Sequence, residues 1–184
     1  MRLTYQQQGM IGQNEFAKFV MLGSNGEVEL NPPLTDDDGR DFEAHRRRQF
    51  GRGLSIQVKN AMRLRIHGRA RRLKLQVRLP KNRANGSPLL WYFFAHMNPK
   101  LMEFASPCFL IPSLVFHRLV SPRPRGHLVY YTFEASMSSS SRDMWSRYQV
   151  ETRHIGRRLL QVLARIEKRE RDLELLLAAD QAAA

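Results

Sequence analysis

The sequence predicts a mixed α/β domain in which one helix leads into a central run of strands and a helical arm closes the chain. Three observations carry this reading. Near the start, Phe16, Phe19 and Val20 recur at helical i, i+3, i+4 spacing. In the middle, Leu73, Leu75, Val77 and Leu79 alternate with Arg72, Lys74, Gln76 and Arg78, the period of a half-buried strand. After Asp143 the helical period returns, with Trp145, Tyr148, Leu159, Leu160, Leu163, Ile166 and Leu173 as its apolar stripe. Helix, strands, helix is the order of an α/β or α+β fold.

Each element follows from local signals. The first helix spans "GQNEFAKFVMLG", with Asn14 as a candidate cap, an earlier start left open, and Gly23 as the stop. A strand at 28–30 ends at Pro32 and Pro33, and the acidic turn "DDDG" leads to a second strand around Phe42 and Ala44. The glycines of "RRRQFGRG" read as a hairpin into a third strand at 54–59. "NGSP" at 85–88 is a turn, and "LLWYFFAH" is apolar enough for a strand buried on both faces. "NPKLMEFASP" reads as a short excursion and "CFLIPSLVF" as a strand broken by Pro112. "RPRG" reads as a loop, "HLVYYTFEASM" as the last strand, and the serines at 138–141 as a connector. In "RIEKRERDLELLL" opposite charges sit four residues apart and support an exposed or partner-packed helix.

The 184 residues are enough for one domain plus an appendage, placed at 1–141 and 142–184, and too few for two ordinary domains. A hydrophobic fraction of 42% is that of a globular chain. Thirty Lys and Arg against 17 Asp and Glu leave a net charge of +13, which points to a polyanionic partner, nucleic acid first. No apolar run approaches the roughly 18 residues of a spanning helix, so a membrane is not the expected partner. The single Cys108 excludes an internal disulfide, and "MRLTYQQQGMIGQNEF" lacks the pattern of a secretory signal, so a cytoplasmic protein is expected.

One constellation carries chemistry. Asp41 stands where the acidic turn becomes a strand, and Gln57 and Lys59 project to one side of the next strand because residues i and i+2 share a face. If the two strands pair, a carboxylate, an amide and an ammonium converge, with Glu15 on the first helix as a possible fourth member. Taken singly, each has an ordinary explanation: Asp36, Asp37 and Asp38 are turn formers, and Lys59 is a solvated strand-end charge. The six histidines show no zinc spacing, and no nucleophile elbow, P-loop or dinucleotide fingerprint occurs. The aromatic run from Trp91 to Phe94 reads as core rather than as a stacking platform for bases.

The stretches Gly12-Gln-Asn-Glu15-Phe16, Asp38-Gly39-Arg40-Asp41 and Ile56-Gln57-Val58-Lys59-Asn60, in that order, resemble the motifs of the PD-(D/E)XK nuclease superfamily. They are most similar to the branch of archaeal Holliday-junction resolvases and Mrr-type restriction endonucleases, and cover roughly the first third of the chain. The resemblance implies a restriction-endonuclease-like core, a central mixed sheet flanked by helices, and an endonuclease that hydrolyses DNA with Mg2+, for which Mn2+ can substitute. It implies Asp41, Gln57 and Glu15 as metal ligands and Lys59 as the group that orients water or steadies charge on the phosphate. Gln57 departs from the Asp or Glu of many members and removes one negative ligand, as in the Mrr-type variant.

DNA backbone contacts are expected from Arg46, Arg47 and Arg48 and from the basic block, Arg63, Arg65, Arg72, Lys74 and Arg78. Two rival readings use the same residues. One is a catalytically silent relative that binds nucleic acid or a partner. The other is an oligomerising scaffold built on the stripe from Trp145 to Leu177, through which a homodimer could form.

Overall fold

Thr4 sets the start of the first helix, α1 (Tyr5–Gly23). Its hydroxyl accepts the Gln7 N–H while the Gln7 side chain accepts the Thr4 N–H, a reciprocal capping box. The computed structural model describes residues 3–33, 39–49, 53–68 and 70–182, and side chains within these except at 83 and from 173 onward. The aspartates at 36–38 and the apolar stripe at 173–177 therefore lie outside what is described.

After α1 the chain makes an antiparallel meander of β1 (Val28–Asn31), β2 (Phe42–Arg46) and β3 (Leu54–Ala61). It then leaves to form β4 (Arg65–His67) and β5 (Ala70–Pro80), and returns as β6 (Leu90–Asn98), parallel to β3. β7 (Glu103–Pro112), α2 (Ser113–Leu119), β8 (Arg123–Arg125), β9 (Leu128–Ser136), β10 (Gln149–Val150) and α3 (Ile155–Ala182) complete the fold. The first sheet has the order β1-β2-β3-β6-β7-β10 and mixed direction, and the second has the order β4-β5-β9-β8.

Two cores lie on the two faces of the first sheet. On one face, Phe42, Ile56, Val58, Phe93 and Leu110 pack against Phe16 and Val20 of α1 and Ile155, Leu159 and Leu163 of α3. Gly156 admits this packing, since a Cβ there would lie 2.2 Å from the Val20 carbonyl oxygen. On the other face, Tyr92, Phe94, Phe109 and Ile111 meet Leu73, Val77, Tyr131 and Phe133 of the second sheet, with Phe116 of α2 and Trp145. The expected α/β class, a central mixed sheet flanked by helices, is the architecture found. Within it, the aromatic run divides between the cores: Phe93 goes to one, Tyr92 and Phe94 to the other. Tyr92 keeps a polar contact there, its hydroxyl 2.9 Å from His117 Nε2, and burial pushes that hydroxyl above its ordinary pKa and the imidazole below its own.

Four local expectations change. The chain past Pro112 is the helix α2 rather than more strand, and 123–125 is a short strand rather than a loop. β7 already begins at Glu103, inside the stretch read as an excursion. The long helix starts at Ile155, not at Asp143. Between them, Asp143 accepts the N–H groups of Ser136 and Trp145, a 3-10 turn at Ser146–Tyr148 follows, and Gln149–Val150 pairs with the edge of β7. The spacing of Trp145 and Tyr148 reads as helical because a single 3-10 turn produces it too.

Phe133 joins the layers, stacked on Phe94 at 4.3 Å and edge-on to Phe109 at 5.2 Å. Phe133→Ala is expected to cost about 3–5 kcal/mol of unfolding free energy in urea titration. A loss under about 1 kcal/mol would show that the two sheets do not depend on this contact.

Candidate active site

β2 begins at Phe42, opposite Ile56 of β3, and the ladder continues one step further, with the Asp41 N–H donating to the Ile56 carbonyl at 2.9 Å. The next step of that register sets Asp41 across from Gln57. There the neighbouring strand stops supplying acceptors, and the Asp41 carboxylate takes over: Oδ2 accepts the Val58 N–H at 2.6 Å. Oδ1 accepts from Gln13 Nε2 of α1, also at 2.6 Å. Two charge-assisted hydrogen bonds hold the group in place.

Gln57 is 5% exposed. Its Nε2 donates to the Gly39 carbonyl. Because a carbonyl only accepts, this contact decides which way the amide faces, and Oε1 must point away from Gly39. That oxygen is buried and has no hydrogen-bond partner among the described residues. A buried acceptor left in that state costs about 1–3 kcal/mol unless a water or a bound group supplies the contact. Lys59, two residues on, is half-buried, and its ammonium has no partner among the described residues.

The face these side chains occupy follows from register. Gln57 lies beside Tyr92 and Lys59 beside Phe94 across the parallel β3–β6 pair. Those two rings pack under the second sheet, so Gln57 and Lys59 project on that same side, away from α1 and α3. Asn60 projects the other way and donates to the Gln8 carbonyl at 3.4 Å, tying α1 to the end of β3.

Asp41, Gln57 and Lys59 are thus brought together, while Glu15 makes its contacts elsewhere. Its carboxylate meets Lys18 Nζ at 2.7 Å and accepts the Phe104 N–H at 3.4 Å, at the start of β7. Gln13 and Glu15 stand about 200° apart around the helix, so when one faces Asp41 the other cannot. Gln13 is the member that sequence reasoning missed. It sits inside the quoted Gly12-Gln-Asn-Glu15 stretch, but helix phase there depends on how α1 docks. Among the described residues no three His, Cys, Asp or Glu side chains gather at one point. Among the described residues, the side-chain oxygens placed here are those of the Asp41 carboxylate and Gln57 Oε1.

The basic residues also divide. Arg46 pairs with Glu167 of α3 at 3.0 Å. Phe42, Ala44 and Arg46 alternate toward the helices, so Arg46 belongs to the opposite face from Lys59. Arg47 and Arg48 are exposed in the turn after β2. Arg63 and Arg65 are exposed and, with Lys74 and Gln76, line a recess of about 350 Å3. Arg72 and Lys74 reach Glu134 at 2.8 and 3.6 Å, and Arg78 is exposed.

Gly39 has φ +62°, and a Cβ there would lie 2.9 Å from Gln57 Nε2. Gly26 has φ +73° with nothing near its missing Cβ. Alanine at either position should lose about 1–2 kcal/mol to the left-handed backbone. Gly39→Ala should lose measurably more in chemical denaturation, and equal losses would show that the Gln57 amide is not held as described.

No protein-family profile and no curated protein sequence matches the chain. Among solved structures it resembles that of a bacterial homing endonuclease, I-Ssp6803I, with a TM-score of 0.56 and 14% sequence identity, over 91% of this chain and 99% of that one. At this identity the likeness is one of fold, and it extends over nearly the whole of both chains.

Proposed function

We propose that this chain is a divalent-metal-dependent DNA endonuclease of the PD-(D/E)XK type. The observation that carries the proposal is Gln57 Oε1, buried and without a partner among the described residues, held by Gly39 on one side of a site whose other members are a fixed carboxylate and an ammonium that no described residue pairs. The order Asp41, Gln57, Lys59 resembles the superfamily's motif with Gln at its middle position, and the fold is similar to that of a homing endonuclease.

Mg2+ binds through one or two protein oxygen ligands plus substrate phosphate and keeps several waters, so Asp41 and Gln57 Oε1 fit it, with Mn2+ as a substitute. When bound, the metal supplies positive charge that polarises the phosphoryl group and favours ionisation of water. Gln13 keeps the Asp41 carboxylate aimed, through its 2.6 Å hydrogen bond. Lys59 donates hydrogen bonds to the attacking water or to the phosphate oxygens as negative charge grows there. The net charge of +13 draws the polyanionic substrate. Glu15, engaged by Lys18 and Phe104, serves to dock α1 on β7. A homodimer through the C-terminal helix belongs to the same proposal. The second reading, a DNA-binding protein that does not cut, is favoured by one residue: Gln57 is uncharged where many members of the superfamily carry Asp or Glu.

Plasmid cleavage in Mg2+ or Mn2+ separates the two. Asp41→Asn and Lys59→Ala should each lower the cleavage rate by at least about 100-fold while mobility-shift affinity stays within a few-fold. Glu15→Gln should retain more activity than Gln13→Ala. If wild-type protein shifts DNA but never nicks it with either metal, the second reading stands. If the Asp41 and Lys59 variants both still cut, the site is elsewhere.

A further inference from the structure

The second sheet presents an outward face that the cleavage site does not use. On β5 the residues Leu73, Val77 and Leu79 are buried, so Arg72, Lys74, Gln76 and Arg78 project outward. On β9 the residues Val129, Tyr131, Phe133 and Ala135 are buried, so Tyr130, Thr132, Glu134 and Ser136 share that outward face. Register pairs Lys74 with Glu134, Gln76 with Thr132 and Arg78 with Tyr130. Glu134 is the carboxylate on this face, and both its oxygens are occupied, by Arg72 and Lys74. Gln76 and Thr132 have no side-chain hydrogen bond among the described residues. The centre is therefore an uncharged pair with free donors and acceptors, flanked on both sides by cations.

The sheet narrows at this centre. β4 pairs with β5 only at 70–72, and β8 pairs with β9 only at 128–130. Between these ends, 73–77 and 131–135 form a ribbon two strands wide. A two-stranded ribbon is what the roughly 12 Å major groove of B-form DNA admits. Outward side chains on a strand recur about every 6.8 Å, close to two base-pair steps at about 3.4 Å each. The two-stranded rows of Lys74 and Gln76, with Arg72 and Arg78 at the wider ends beside β4 and β8, would therefore follow about six base pairs. The same face turns toward the side of the molecule on which Gln57 and Lys59 project, since both lie on the second-sheet side of the first sheet.

We propose that the outward face of the β5–β9 ribbon enters the major groove of duplex DNA, where Gln76, Thr132 and Arg78 read base edges. Gln76 matches the donor and acceptor of adenine, and Arg78 matches the two acceptors of guanine. Arg63 and Arg65 beside the ribbon, and Arg123 at its far end, hold phosphates. The choice of DNA as occupant rests on the nuclease reading, but the assignment of base readout rests on the ribbon's own width and chemistry.

The test is selection of bound sites from a randomised duplex pool by the full chain in EDTA, followed by titration of single duplexes. Wild-type protein should select a defined base preference. Gln76→Ala should relax it at one or two adjacent positions by about tenfold or more, with less than twofold change on unselected duplex. Arg65→Ala should weaken every duplex alike and reduce the salt slope by about one. Absence of any preference in wild type, an unchanged preference in both Gln76→Ala and Arg78→Ala, or equal competition by duplex RNA, whose A-form major groove is too narrow to enter, would overturn the proposal. Base preference lost in Gln76→Ala, with no cleavage by any form of the protein, would sustain this inference and sink the nuclease reading. Cleavage abolished by Lys59→Ala, with preference untouched by both Gln76→Ala and Arg78→Ala, would do the reverse.

Discussion

The rest of this structure depends on the double burial of β6. Phe93, Ala95 and Met97 turn toward the helices while Tyr92 and Phe94 turn toward the second sheet, and all five are inaccessible to solvent. A strand that is apolar on both faces must be covered on both. The helix side brings α1, with Gln13. The sheet side brings the β5–β9 ribbon. Parallel pairing of β6 with β3 then fixes which side of β3 bears Gln57 and Lys59.

At the candidate site the ordinary satisfaction of polar groups lapses at Gln57 Oε1 among the described residues. Asp41 and the Gln57 Nε2 are each held by short hydrogen bonds to backbone or helix partners, and Gln57 Oε1 is left buried without a partner among the described residues. An arrangement of this kind costs stability unless a water or another group supplies the missing contact. Position matters as much as donor type. Gln57 and Lys59 project on the second-sheet side of the first sheet, next to Tyr92 and Phe94.

Charge is distributed by strand parity. Arg46 alternates toward the helices and is absorbed by Glu167, while the even-numbered residues of β5 alternate outward. Two basic segments that look equivalent in composition thus have different roles, one tying β2 to α3 and the other facing solvent. Near neutrality at the ribbon's centre, with cations around it, separates base contact from phosphate contact in space.

Periodicity alone determined the class of the fold, the first helix, the alternating strand at 73–79 and the aromatic strand at 91–94, because side-chain period is a local consequence of backbone geometry. The spacing of Gln57 and Lys59 was legible for the same reason, and Asp41 was legible because a turn that becomes a strand places its last polar residue at the sheet's margin. Other features were decided only by tertiary packing. Helix rotation on β3 selected Gln13 over Glu15, since sequence gives a helix its faces but not the partner that each face meets. Burial of Trp145 and the open edge of β7 delayed the long helix to Ile155. The width of the β5–β9 ribbon depends on where β4 and β8 stop pairing, a long-range register that no local signal encodes.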